Sequence, residues 1–157
     1  MIKRTIKYYD SFDNMEKETV AYFDIDREDV ILNPELLRDV EKLNVMFENI
    51  DPKESEAQLG LDERKFVFML YKNFIKLGYV KRVGDKPVKN DEVWGEFDGS
   101  FAYKALVNQF FDDPDNAMEF LAESLPEEFR KNIQKSDDPE VLKALPQDHK
   151  PKKTKKS

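Results

Sequence analysis

The residues able to do chemistry are few. One histidine, His149, stands among the lysines of the C-terminal stretch, and the 157 residues contain no cysteine. Within them a histidine-based triad, a multi-histidine metal site, a disulfide and a thiol nucleophile are therefore excluded. The five glycines complete neither a GxGxxG nor a GxxxxGK[ST] pattern, so no phosphate-cradling loop is written in the chain. What remains is carboxylate. Asp24-Ile25-Asp26 and Asp112-Asp113-Pro114-Asp115 are the densest acidic clusters, and either could attract a divalent cation. Neither continues into the Asp/Asn…Gly…Glu pattern of a calcium loop, and Asp112 and Asp113 already have a local role as helix stop and cap. The residues assign no catalytic, cofactor-binding or metal-binding position. Composition and spacing do not by themselves say what the chain does.

The element that any binding surface would be built on runs from Gly99 to Gln134. Ser100 is a suitable N-cap, its hydroxyl able to accept from an orphan helical N–H, and Tyr103, Leu106, Val107, Phe110 and Phe111 follow at the spacing of one apolar helix face. Asp113-Pro114 restarts the chain as cap and first helical residue. Ala117, Met118, Leu121, Ala122 and Leu125 form the next face. Pro126 with Glu127 and Glu128 opens a third helix, the acids suiting its positive end, with Phe129 and Ile133 as its apolar contacts.

Upstream, residues 2–9 alternate with period two in β-forming types, Asp10 to Asn14 is turn chemistry, and Thr19, Ala21, Phe23 and Ile25 mark one face of a second strand. This predicts a β-hairpin over residues 1–25, which needs helices or another chain to pack on. Asp26 to Leu32 reads as a connector. Asn33-Pro34 starts a helix to about Asn49 with Leu36, Val40, Leu43, Phe47 and Ile50 as its stripe, and 51–60 is a polar loop. Asp62 is the expected cap of a helix through Leu77, with Gly78 at its C′ position. That helix carries a wide apolar arc: Phe66, Val67, Leu70, Tyr71, Phe74 and Leu77, broadened by Phe68 and Ile75, with Met69 apart among lysines. Gly84-Asp85 marks a turn, in a short hairpin or an irregular loop, and Asn90 or Asp91 caps a brief helix with Val93, Trp94 and Phe97. Asp138-Pro139 starts a last helix that Pro146 ends.

The expected fold class is α+β, predominantly α-helical: an N-terminal β-hairpin on a bundle of about five to six short helices. Residues 1–145 form the single expected domain, with the helical body at 33–145, and 146–157 a disordered basic tail. Charged residues make up 38% of the chain and its net charge is −7. Lys150, Lys152, Lys153, Lys155 and Lys156 crowd the tail, so the body is more acidic still. Such a body is poorly suited to neutralising phosphates and argues against a nucleic-acid partner. The longest apolar run, Phe66 to Tyr71, falls far short of the ~20 residues a membrane span needs, and the N-terminus lacks the apolar core of a secretory signal.

Read together, several segments resemble the tail assembly chaperones of long-tailed, siphovirus-type bacteriophages. MIKRTIKYYDSFDNMEKETVAYFDI is similar to that family's opening hairpin. The run from Gly84 to Glu92, then FDGSFAYKAL, then DDPDNAMEFLAESLP, look like its helical body. The resemblance covers roughly residues 1–130 as an order of local motifs. The turn at Asp10 to Asn14, the Asn33-Pro34 region and the basic tail depart from it. It implies a non-enzymatic protein without cofactors that binds the tape-measure protein and recruits major tail tube subunits in the host cytoplasm. It also implies absence from the mature virion and a longer product made by ribosomal frameshifting, for which codons at Lys155-Lys156 are a candidate position. A homo-oligomer is left open. The other readings are an acidic inhibitor or nucleic-acid mimic that blocks a host enzyme, and a small structural tail component. For a partner-binding surface the candidates are Phe66, Phe68, Met69 and Ile75 on the wide helix, with Phe110 and Phe111; an apolar stripe at helical spacing is ordinarily core.

Overall fold

The computed structural model describes residues 1–49 and 59–134, the last four by their backbone alone. Ile50, nearly all of the expected 51–60 loop, the side chain of Ile133, the expected helix after Pro139 and the 146–157 tail lie outside the described residues. The first two strands, β1 (Ile2–Asp10) and β2 (Met15–Phe23), pair antiparallel from Ile2↔Phe23 to Asp10↔Met15. Their alternation puts Ile6, Ala21 and Phe23 on one buried face. The turn is locally built: Asp10 Oδ1 accepts from the backbone N–H groups of Phe12 (2.9 Å) and Asp13 (3.2 Å), and Asn14 takes a left-handed φ of 53°.

Two further strands, β3 (Tyr79–Val83) and β4 (Lys86–Val88), form a second hairpin around Gly84-Asp85, where Gly84 supplies a φ of 62°. The segment between Tyr79 and Lys89 is thus a hairpin. It joins the first through Tyr22↔Val80 and Phe23↔Tyr79, giving one antiparallel sheet in the order β1-β2-β3-β4.

Seven helices are seen among the described residues, more than the five or six expected. The additional one is α1 (Arg27–Leu32), in the stretch expected to be a connector. A capping box makes it: Asp26 Oδ1 accepts from Asp29 N–H (2.8 Å) and Asp29 Oδ2 accepts from Asp26 N–H (3.1 Å). Asn33, expected to start the next helix, instead closes this one by donating Nδ2 to the Asp29 carbonyl (2.8 Å). Helix α2 (Glu35–Glu48) begins behind Pro34 with no side-chain cap, and buries Leu36, Val40, Leu43 and Met46.

Helix α3 (Leu61–Gly78) is capped at Gly60, whose N–H donates to Glu63 Oε1 (3.2 Å), so Asp62 lies in the first turn rather than at the cap. Gly78 is not a left-handed C′ residue. It is the last helical residue, and a Cβ there would meet Ile25 Cγ1 at 3.2 Å. The close approach lets the Gly78 carbonyl accept from Asp24 N–H at 2.8 Å, tying helix end to strand end.

The remaining helices start where the sequence signals them. Asn90 Oδ1 accepts from Val93 N–H at α4 (Asp91–Asp98), and Ser100 Oγ accepts from Tyr103 N–H at α5 (Phe101–Asp112). Asp113 Oδ1 accepts from Asn116 N–H at α6 (Pro114–Ser124), and α7 (Glu127–Gln134) follows Pro126. Helix α5 lies against β1, α3 crosses α5, and α2 packs on α3 and α7. Phe23 joins sheet to helices, its ring edge-on to Phe120 at 5.0 Å and to Phe97 at 6.3 Å.

Candidate partner-binding surface

The crossing of α3 and α5 divides the six candidate residues. Ile75 and Phe110 are fully buried; Phe110 meets Tyr71 edge-on at 5.7 Å and Phe120 at 4.8 Å. They hold the helices together from beneath and present nothing to a partner. Phe66 lies on the α2 flank of α3, half-buried, with Lys42 Nζ 4.5 Å above its ring. Phe68 points the other way and stacks on Phe111 of α5, with 4.6 Å between centroids and 18° between planes. Phe68 nevertheless keeps 36% of its surface and Met69 beside it keeps 48%. The surface patch is therefore Phe68, Met69 and the outer edge of Phe111. Its rim carries Lys65 and Lys72, the latter 3.6 Å from Asp98.

An open cleft of about 490 Å³ lies among α1, α2, α3 and α4, floored by Leu70, Leu77, Tyr79 and Trp94. On one wall Lys89 Nζ donates to Asp29 Oδ2 (2.8 Å) and, just outside the cleft, to the Asp24 carbonyl (2.7 Å). Burial raises the Asp39 carboxyl above its ordinary range, opposed by Lys42. Among the described residues no group of three or more His, Cys, Asp or Glu side chains could hold a metal ion.

Three features were not singled out from the sequence. Arg4 reaches under the hairpin to lie 5.1 Å from the Phe110 ring and 5.5 Å from Phe120, while Nη2 donates to Asn116 Oδ1 at 2.8 Å. Burial pulls its pKa down, against the pull of Glu123 and Glu119. Phe120, buried at the centre, lies outside the face assigned to α6 from its spacing. Phe12, at the hairpin tip, is 90% exposed. The signal for Phe12 was present, since it is the one apolar residue in the polar Asp10 to Asn14 turn.

A protein-family model described as phage tail assembly chaperone matches residues 1–156. No curated protein and no solved structure matches.

Proposed function

The chain belongs to the phage tail assembly chaperone family, and we propose that it acts there by binding tail proteins before they assemble. In this reading the partner that needs a chaperone is the tape-measure protein. Major tail tube subunits are then brought to it in the host cytoplasm, and the chaperone leaves before the virion is complete. The reading includes no chemical step and no cofactor.

The observation that supports it on the chain itself is the Phe68, Met69 and Phe111 patch. Aromatic and methionine side chains give an adaptable apolar surface at modest entropic cost, and an amphipathic helix laid on two crossing helices is a recurring recognition mode. The acidic body keeps the loaded complex soluble. No helix among the described residues is long and apolar enough to cross a membrane.

The test is capture of a tagged full chain from phage-producing cells, with partners identified by mass spectrometry. Tape-measure and tube peptides are the expected result, and a Phe68→Ser variant that folds normally should lose them. A basic host enzyme as the sole stoichiometric partner would overturn the reading in favour of an acidic inhibitor. Peptides of the chain in purified virions would make it a structural component.

A further inference from the structure

On a chain of net charge −7, the outer face of the α3–α5 crossing is locally basic. Lys65, Met69, Lys72 and Lys76 recur at four- and three-residue spacing along α3, so they share one outward stripe. Phe68 flanks that stripe, stacked on Phe111 at 4.6 Å. On α5, Lys104, Asn108 and Phe111 stand at i, i+4 and i+7, which puts them on one face of that helix. Lys65, Lys76, Lys104 and Asn108 are all exposed. Lys72 stands 3.6 Å from Asp98, while Lys65, Lys76 and Lys104 form no ion pair among the described residues. Asp112, next to Phe111 in the chain, is a further acid at the border. The denser carboxylates lie elsewhere: Asp115, Glu119 and Glu123 beside Arg4, and Glu35, Asp39 and Asp91 around the cleft.

Building on the reading of Phe68, Met69 and Phe111 as a partner-binding surface, we propose that it takes an acidic amphipathic helix, one whose apolar stripe is bordered by Asp and Glu. Burial of that stripe against the two rings and Met69 supplies the affinity. The lysines fix the register and select against basic partners. Lys65 and Lys72 stand two turns apart on α3, about 10 Å of helix rise, with Phe68 and Met69 between them. A helix lying along α3 therefore meets them with carboxylates about two turns apart and apolar residues between. Net charge taken alone predicts the reverse preference, for a basic helix. The placement of the lysines decides against it, because charges in contact are felt directly while those beyond about 8 Å are screened at physiological salt.

The test uses two fluorescent helical peptides of about 20 residues, long enough to lie along α3. They share one stripe of Leu and Phe and differ only in its flanking residues, all Glu in one and all Lys in the other. Binding to the full chain is read by anisotropy. The Glu peptide should saturate a single site, and Met69→Ser should weaken it about tenfold. Lys65→Glu with Lys104→Glu should weaken it by a similar factor and create a Met69-dependent site for the Lys peptide. Any binding of the Lys peptide to the parent should be indifferent to Met69→Ser. These three side chains are exposed, so circular dichroism and melting temperatures should match the parent, and the Phe68–Phe111 stack is left intact. A Glu peptide that does not bind, that ignores Met69→Ser, or that binds the charge-reversed chain as well as the parent would overturn the proposal. Tighter, Met69-dependent binding of the Lys peptide to the parent would do the same. Capture of tape-measure and tube peptides without binding of the Glu peptide would overturn this proposal alone. Binding of the Glu peptide without that capture would support it and overturn the tail-protein reading.

Discussion

Phe68 of α3 and Phe111 of α5 are stacked at 4.6 Å, although Phe68 is at the surface. The pair therefore closes one edge of the helix crossing while offering its outer face to solvent. A double-mutant cycle of Phe68→Ala and Phe111→Ala should return a coupling of about 0.5–1.5 kcal/mol in denaturant unfolding, the range of aromatic pairs. A coupling of zero would mean that the two rings contribute independently.

Gly95 and Gly78 should respond oppositely to alanine. Among the described residues nothing lies within 4 Å of where a Gly95 Cβ would stand, at an exposed position inside α4, so Gly95→Ala should stabilise the fold by about 0.5–1 kcal/mol through helix propensity. At Gly78 the added methyl presses on the buried Ile25 Cγ1 at 3.2 Å, with Phe23 Cβ in ordinary contact at 3.6 Å. Gly78→Ala should cost about 1–3 kcal/mol, as overpacking does, read as a lower thermal midpoint.

Tyr71 is fully buried and its hydroxyl oxygen has no hydrogen-bond partner among the described residues. An unpaired buried hydroxyl costs about 1–3 kcal/mol, and burial drives the phenol pKa upward. Tyr71→Phe keeps the ring against Phe110 and removes the unpaired group. It should leave the thermal midpoint unchanged or raise it; a clear fall would show that the hydroxyl is satisfied in solution.

The turn should loosen in acid. The hydrogen bond from Lys17, helped by the Asp13 and Phe12 amides, holds the Asp10 carboxyl below its ordinary range. A depressed folded pKa adds stability above the unfolded value of about 4, and that contribution is lost as pH falls through the folded value. Melting curves of the parent and Asp10→Asn should differ slightly at neutral pH and converge in acid. The alkaline side has the opposite sign. Burial, with Asp98 adding to it, lifts Tyr103 to about 12, so its contribution is present below the ordinary phenol value of about 10 and lost as pH rises through about 12. Tyr103→Phe should blunt that alkaline loss.

The sequence by itself determined the parts whose causes are local. The β1–β2 hairpin, the starts at Asn90, Ser100 and Asp113-Pro114, and the turn at Gly84-Asp85 follow from period-two alternation and from side chains that bond amides two or three residues away. Helix α1 is equally local, since Asp26 and Asp29 bond each other's amides, but its six residues are too short to show an apolar period. Only the tertiary structure decided the rest. The pairing of Phe23 with Tyr79 joins segments far apart in the chain, and no local pattern records which strand edges meet. Within the aromatic stripes of α3 and α5, the crossing of the two helices buried Ile75 and Phe110 and left Phe68 at the surface. Helical spacing places a side chain on a face; what covers that face is set by elements the spacing does not see.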